Sequence, residues 1–198
     1  MFEVQTGPDG LPRCRWCVAH DDYVEYHDTE WGFPVADDTR LFEKLCLEGF
    51  QSGLSWLTIL RKREAFRRGF SMFDIAAVAG FGPADVDQLL QDSSIVRHRG
   101  KIEACVNNAN RSLELIADEG SLAHFVWRYE PDRADPHRTT SPEAVAMARE
   151  LKSRGFRFVG PTTSYAFMQS MGLVNDHIDG CYVREIVDTA RKAFARPI

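Results

Sequence analysis

Apolar residues recur every three or four positions along most of this chain, which is the spacing of one buried face on an α-helix. From Asp37 onward, Leu41, Phe42 and Leu45 form such a stripe. Serine or proline at helix starts and glycine after helix ends mark the limits of further helices. The pattern predicts further helices over residues 54–68, 83–90, 100–116, 122–127, 142–154, 160–172 and 178–194.

Signals for β-structure are weak by comparison. Residues 156–159 are compatible with one short extended segment, but no pair of segments has the alternation and turn of a strand hairpin. Residues 131–140 are polar, contain two prolines and lack periodicity, which is typical of a surface loop. We therefore predict an all-α fold.

Glu48 continues the apolar stripe of the helix that begins near Asp37, so its carboxylate is predicted to point toward the core. Residues 49–56 contain two glycines and end in Trp56, which allows the aromatic ring to fold back toward this carboxylate. A buried, unpartnered carboxylate costs several kcal/mol, so an acid beside an aromatic ring indicates a binding site. Alternatively, Glu48 reaches solvent or caps a neighbouring helix, because periodicity fixes direction only to within about a residue.

The composition is that of a globular protein with one core. The chain has 198 residues, of which 44% are hydrophobic and 27% are charged, and no apolar run approaches the roughly 18 residues of a membrane-spanning helix. The five cysteines are an odd, scattered number, which fits the reducing cytoplasm better than a disulfide framework. A net charge of -5 argues against a surface coated with basic residues for indiscriminate nucleic-acid binding.

A local basic cluster nevertheless lies in residues 89–102, which read as two helices joined by a short turn. Arg97, Gly100 and Lys101 surround the start of the second helix. Free backbone N–H groups and cations at a helix N-terminus suit a phosphate, as in a helix-hairpin-helix element that grips the DNA backbone. Alternatively, the two helices of residues 89–102 pack against each other without binding DNA. Another basic cluster, at residues 61–68, fits a solvated helix face as well as it fits a phosphate-binding surface.

Cysteine and histidine residues near the two ends of the chain form a second candidate constellation. His177 and Cys181 are four residues apart, which places both on one face of the predicted last helix. With Cys14 and His27 they could form a Cys2His2 zinc site without an open position for catalysis. In the alternative, the cysteines are small buried hydrophobes and the histidines are surface residues.

The chain closely resembles the 3-methyladenine DNA glycosylase I family. The matching segments follow one another in order from about residue 13 to residue 181. They are residues 14–16 (CRW), 26–32 (YHDTEWG), 47–56 (LEGFQSGLSW), 95–102 (IVRHRGKI), 158–165 (FVGPTTSY) and 172–177 (GLVNDH).

The resemblance implies a helix-hairpin-helix glycosylase core and a second lobe stapled by a structural Zn²⁺. Cys14, His27, His177 and Cys181 fall on the zinc ligands of the family. Tyr26, Glu48 and Trp56 fall on its base pocket. Trp16, Trp31 and Tyr165 lie near these residues in sequence, and we expect them to pack in the core.

The activity implied is hydrolysis of the N-glycosidic bond to 3-methyladenine in double-stranded DNA that contains alkylated bases. Tyr26 and Trp56 would stack on the base, and Glu48 would hydrogen-bond its edge. The resemblance also implies that the catalytic aspartate of other helix-hairpin-helix glycosylases is absent, so a water-activating role for Glu48 stays open. Leu54, at the tip of the Gly53 turn, is the expected wedge in the vacated base stack.

We also expect a monofunctional, monomeric, cytoplasmic enzyme. Strand cleavage needs a pocket lysine, and Lys44, one helical turn before Glu48, matches none of the pocket residues of the family. We expect residues 1–198 to form one compact unit in two lobes, with residues 1–12 and 182–198 as extensions of unassigned role. Two other classes stay open, namely a DNA-damage binder without cleavage and a thiol enzyme that uses Cys46 or Cys181 with a histidine.

Overall fold

The computed structural model describes residues 3–132 and 138–197. Within these ranges the chain is mostly helical. Its α-helices are α1 (Asp21–Thr29), α2 (Asp38–Gln51), α3 (Trp56–Gly69), α4 (Ile75–Ala79), α5 (Pro83–Gln91), α6 (Arg99–Glu119), α7 (Leu122–Trp127), α8 (Pro142–Ser153), α9 (Pro161–Ser170) and α10 (Val183–Ala193). The strands β1 (Val4–Thr6) and β2 (Pro12–Cys14) form an antiparallel hairpin, and 3₁₀ turns span Arg15–Cys17 and Ser71–Phe73.

The helical prediction is confirmed for most of the chain, with four differences. A strand hairpin is present near the N-terminus, although the sequence shows no alternation there, because both strands have only three residues. The last helix begins at Val183 and not at residue 178, since residues 178–182 form a turn through Gly180. The short helices α1 and α4 were not predicted. Residues 156–159 form no strand, and part of the predicted loop at 131–140 lies outside the described residues.

Helix α2 lies at the centre of the molecule. It contacts α3, α6, α7 and α9, and every residue from Leu41 to Phe50 is buried. Its N-terminus is fixed twice: Asp37 accepts a hydrogen bond from Arg40 N at 2.8 Å, and Asp38 accepts bonds from two backbone N–H groups at the start of α7. Because neighbours surround α2, polar side chains that would face solvent on a surface helix are enclosed here.

The two ends of the described chain meet in a separate apolar cluster. It contains Cys14, Ile178, Cys181, Val183 and Val187, flanked by Trp16, Trp31, Phe33 and Tyr182. Tyr182 N donates to Pro12 O at 2.9 Å, which ties the β-hairpin to the segment before α10. The hairpin and α10 therefore enclose one side of the molecule.

Gly172 permits this junction by its lack of a side chain. Its φ is +79°, and a Cβ atom would lie 2.5 Å from the carbonyl carbon of Phe33. The segment after α9 can therefore cross the segment after α1 only with glycine at this position. No helix in the described ranges is long and apolar enough to cross a membrane.

Candidate active site

A cavity of about 290 Å³ opens where α1, α2, α3 and α9 meet the segments at the two chain ends. Its walls are mostly aromatic and apolar, with a few polar groups. The lining residues are Cys14, Trp16, Tyr23, Tyr26, Trp31, Glu48, Gln51, Trp56, Ala166, Gln169, Asp176 and Ile178. An apolar cavity with few convergent polar groups, of a size close to that of small-ligand sites, is the expected form of a pocket for a planar ring.

The structure brings together the three residues predicted for the base pocket. Tyr26 and Trp56 face each other with ring centroids 5.5 Å apart, and both line the cavity with Glu48. The indole N–H of Trp56 is buried and has no hydrogen-bond partner among the described residues. An unsatisfied donor in the wall of a cavity is a place where a ligand could supply the acceptor.

Glu48 lies in the last turn of α2 and is 5% exposed. Its carboxylate forms an ion pair with the ammonium of Lys44, with Nζ and Oε1 3.0 Å apart. The stripe therefore predicted the direction of Glu48 correctly, and the lysine one turn earlier supplies the partner that a buried carboxylate needs.

Lys44 contacts all three of these pocket residues. In addition to Glu48, its ammonium donates to the Tyr26 hydroxyl at 2.8 Å and lies 3.3 Å from the centroid of the Trp56 ring. Burial lowers the pKa of Lys44, and the charge of Glu48 opposes that shift. Burial also raises the pKa of Tyr26, and the charge of Glu48 adds to this increase, so the phenol stays protonated.

Trp16 and Trp31, which we expected to pack in the core, also line the cavity. Trp16 makes edge-to-face contacts with Tyr23, Tyr26 and Trp31, with centroids 5.2 to 6.5 Å apart. Their positions beside Cys14 and in the segment 26–32 were the signal in the sequence that could have placed them here. Tyr165, by contrast, is buried in the main core.

Four lining residues with polar groups were not predicted from the sequence, namely Tyr23, Gln51, Gln169 and Asp176. The Asp176 carboxylate accepts hydrogen bonds from the Tyr165 hydroxyl at 2.8 Å and from the Gln169 amide at 2.7 Å. Asp176 directly precedes the predicted metal ligand His177, so its place in the matching segment 172–177 was the available signal.

Next to this cavity, a group of metal-binding side chains lies in the cluster at the chain ends. Potential ligand atoms of Cys14, His27 and Cys181 all lie within 4.8 Å of one another, and all three residues are buried. The Cys181 sulfur lies 3.5 Å from His27 Nε2. Hydrogen bonds from Cys14 and His27 lower the pKa of Cys181 to about 4, so this thiol is readily ionised.

His177, the fourth predicted ligand, is fully buried with its ring centroid 4.6 Å from that of His27. Its Nε2 has no hydrogen-bond partner among the described residues, while Nδ1 lies 3.0 Å from Asn175 Oδ1. Burial, helped by the nearby His27, lowers the pKa of His177 to about 4, so the imidazole is neutral. A neutral ring whose Nδ1 is held and whose Nε2 is unpartnered is suited to ligate a metal ion.

The other histidine is held in the same way. His27 Nδ1 lies 2.8 Å from Asp28 Oδ1, and Asp28 is in turn bound by the buried guanidinium of Arg13 through contacts of 2.8 to 3.0 Å. Two sulfurs and the oriented imidazole of His27 therefore converge as possible ligands of a metal ion, whereas no ring nitrogen of His177 lies within 4.8 Å of all three. The prediction that His177 and Cys181 share one helix face was wrong, because residues 178–182 are not helical and a turn brings Cys181 to His27.

The residues predicted to contact DNA lie in two places, the loop between α2 and α3 and the turn that leads into the first residues of α6. Gly53 has a φ of +80° in the turn between α2 and α3, and Leu54 at its tip is 43% exposed. Arg97 is exposed in the turn between α5 and α6. Gly100 lies in the first turn of α6, which is capped by His98.

Lys101 differs from Arg97 because it is buried. Its ammonium donates to the carbonyl oxygens of Phe50 at 2.8 Å and Ser52 at 2.5 Å, at the C-terminal end of α2. These bonds satisfy carbonyl groups that the helix itself leaves free. Lys101 therefore joins α6 to the loop that carries Leu54, and a phosphate contact of Lys101 stays a prediction.

Comparison with known proteins gives consistent matches over most of the chain. The family model described as methyladenine glycosylase matches residues 16–185. The chain is 43% identical over 179 residues to the DNA-3-methyladenine glycosylase 1 of Escherichia coli (strain K12), a match that spans 86% of this chain and 96% of that protein. It is 45% identical over 179 residues to the DNA-3-methyladenine glycosylase of Haemophilus influenzae, spanning 85% of this chain and 96% of that protein.

Solved structures agree with these sequence matches. A crystal structure of a 3-methyladenine DNA glycosylase I superposes with a TM-score of 0.82 at 46% identity, covering 86% of this chain and 98% of that one. A structure of the Staphylococcus aureus 3-methyladenine DNA glycosylase I, which describes its recognition of 3-methyladenine, superposes with a TM-score of 0.83 at 35% identity. That match covers 87% of this chain and 96% of the other.

Proposed function

Because the chain belongs to the methyladenine glycosylase family, we propose that it is a DNA glycosylase that removes 3-methyladenine from alkylated double-stranded DNA. The observation that supports this proposal most is the aromatic cavity with the buried carboxylate of Glu48 in its wall. The relatives' names state the same activity for those proteins. We expect this base-excision repair enzyme to act as a cytoplasmic monomer.

The reaction breaks the bond between N9 of the base and C1′ of the sugar. Methylation at N3 makes the base cationic, so it takes the bonding electron pair and leaves as neutral 3-methyladenine. Water adds its hydroxyl to C1′ and releases its proton to solvent. Because the leaving group is already activated, the protein has to extrude the nucleotide from the duplex and hold the base.

The residues of the cavity have distinct roles in this proposal. The rings of Tyr26 and Trp56 stack on the base, and the Glu48 carboxylate accepts a hydrogen bond from its edge. Glu48 either orients the attacking water or only binds the base, and both roles need the carboxylate in place. Leu54, exposed beside Gly53, fills the space that the extruded base leaves in the stack.

The cluster at the chain ends is proposed to hold a structural Zn²⁺ through Cys14, His27, His177 and Cys181. Two thiolates and two imidazoles would give the ion four protein ligands, which is the donor set of structural zinc sites. When bound, the ion would supply folding energy to the junction of the chain ends. Cys14 belongs both to this set and to the cavity wall, which links the two sites.

Base release from methylated DNA tests the proposed activity. We expect the wild-type protein to release free 3-methyladenine, and Glu48→Gln and Trp56→Ala each to lower the rate about tenfold to a hundredfold, because the first loses a hydrogen bond to a charged acceptor and the second loses a stacking ring. Glu25→Gln, which changes an exposed carboxylate on α1, is the matched control and should keep the wild-type rate. Binding of methylated DNA without release would instead identify a damage-binding protein.

Cys181→Ala tests the proposed zinc site. We expect loss of about one equivalent of bound zinc and a fall in melting temperature of about 10 °C, because the metal-binding energy is also folding energy. Cys105→Ala is the control, since the Cys105 thiol is buried beside Cys46 and far in sequence from the cluster. This variant protein should keep its bound zinc. Unchanged metal content and melting temperature in Cys181→Ala would refute the assignment, and rapid alkylation of Cys181 in the wild type would favour the thiol enzyme.

The turn before α6 is proposed to bind the phosphate backbone as part of a helix-hairpin-helix element. Arg97→Ala should weaken binding to methylated and unmethylated duplexes by a similar factor and reduce the salt slope by about one, because phosphate contacts carry no base information. Lys101→Met should lower the melting temperature, whereas Arg97→Ala should not, since only the Lys101 ammonium is buried against α2. A defect of Arg97→Ala that is confined to methylated DNA would place Arg97 in the base pocket.

The enzyme is also proposed to be monofunctional. Strand cleavage requires an amine that attacks C1′ and forms a Schiff base, and the Lys44 ammonium is already engaged by Glu48, Tyr26 and Trp56. Borohydride added during turnover should therefore trap no covalent protein–DNA adduct, while a bifunctional glycosylase assayed in parallel should give one. An adduct that disappears in Lys44→Met would overturn this proposal.

A further inference from the structure

Lys44 is a buried charge for which the proposed reaction has no use. It is 5% exposed, and its ammonium touches the three pocket residues Tyr26, Glu48 and Trp56. Transfer of an ammonium group from water into the protein interior costs free energy. A buried ion pair therefore stabilises the fold little more than an apolar pair of the same size would.

The Lys44 ammonium lies over the Trp56 ring, 3.3 Å from its centroid. Trp56 lines both the 290 Å³ cavity and a smaller cavity of about 30 Å³, whereas Lys44 lines only the smaller one. A base in the larger cavity that stacked on the opposite face of the indole would lie roughly 7 Å from the ammonium, since each contact across a ring spans about 3.5 Å. At that distance, inside the protein, one unit charge still changes the affinity for a cation.

The other charges around Lys44 are mostly paired with each other. Arg63 forms a bidentate ion pair with Glu30 at 2.7 and 2.8 Å, and Arg67 forms an ion pair with Glu43 at 2.9 Å. The charged and titratable groups that face Lys44 are Tyr26 and Glu30 at the end of α1, Arg40, Glu43 and Glu48 on α2, and Arg63 and Arg67 on α3. The Lys44 ammonium is thus left to compensate Glu48, the carboxylate that lines the large cavity.

We propose that Lys44 is a specificity-determining residue, which cancels the charge of Glu48 and so lowers the preference of the pocket for a cationic base over a neutral base of the same shape. Without Lys44, the Glu48 carboxylate and the electron-rich face of Trp56 would both favour a cation. With Lys44, the pocket selects an alkylated purine by stacking and hydrogen bonding and accepts neutral alkylated purines as well as cationic ones. This inference rests on the proposed function.

The test compares two free ligands whose shapes are alike and whose charges differ. The cation is 3,9-dimethyladeninium, and the neutral ligand is 3-methyladenine at a pH above its own protonation. Dissociation constants for both, from quenching of tryptophan fluorescence, give a preference ratio for each protein variant. The change of this ratio between variants reports charge, because the extra N9-methyl group of the cation is the same in every comparison and lost packing or hydrogen bonding affects both ligands.

We expect the preference for the cation to rise on the order of tenfold in Lys44→Met, to fall in Glu48→Gln, and to stay near the wild-type value in Lys44→Met/Glu48→Gln. Lys44→Arg, which keeps the charge, should also stay near wild type, and Lys152→Met, which removes an exposed lysine on α8, is the matched control. The Asp176 carboxylate in the cavity wall is present in every variant, so its effect cancels in the comparison. A purely structural role of Lys44 would not produce this order of ratios.

Two results would overturn the inference, and they are distinguishable. A wild-type protein that binds neither ligand and releases no 3-methyladenine would overturn the proposed function together with this inference. A wild-type protein that is active, with equal ratios in all variants, would overturn only the role of Lys44. If Lys44→Met alone fails to fold, the preference ratios of Lys44→Met/Glu48→Gln and Glu48→Gln are compared instead, since they differ only in Lys44. The double variant is expected to fold because it contains no unpaired buried charge from this pair.

Discussion

The junction of the two chain ends is the constraint on which the candidate pocket depends. Trp31 lies against both His27 and His177, with ring centroids 6.1 and 4.6 Å away, and it also lines the cavity. Asp176 and Ile178 reach the same cavity from the segment that precedes α10. One wall of the pocket therefore exists only when residues near position 30 and residues near position 177 are held together, and the buried cysteine and histidine cluster lies at that point.

Buried cationic side chains fix the relative positions of several other parts of the structure. Arg13 joins Asp9 and Asp28, Lys44 joins Tyr26 and Glu48, and Lys101 joins α6 to the end of α2. A buried charge costs free energy unless its partners are correctly placed, so each of these residues penalises arrangements in which its partners move apart. Lys44 thereby fixes Tyr26 and Glu48 in the cavity wall, and Lys101 fixes the loop that carries Leu54.

The sequence predicted the helical architecture and the direction of Glu48, because the 3.6-residue period is a local property of the chain. It also predicted that Cys14, His27 and Cys181 come together, although this prediction needed the resemblance to a family, since spacing carries little information across most of the chain. Helical periodicity could not reveal that Lys101 is buried or that Lys44 contacts Trp56, because both depend on tertiary neighbours. The same limit explains the turn through Gly180, which delays the start of the last helix from the predicted residue 178 to Val183.

The wide separation of the cluster residues along the chain has a consequence for biosynthesis. His27 and the Cys181 sulfur that it contacts are 154 positions apart. At a translation rate of about 5–20 residues per second, the N-terminal cysteine and histidine wait on the order of ten seconds for their partners to be made. Over that time α2 can pack against the helices that follow it, but the pocket wall is incomplete. A nascent or prematurely terminated chain therefore has no closed base site, and DNA damage can be processed only by a chain synthesised nearly to its end.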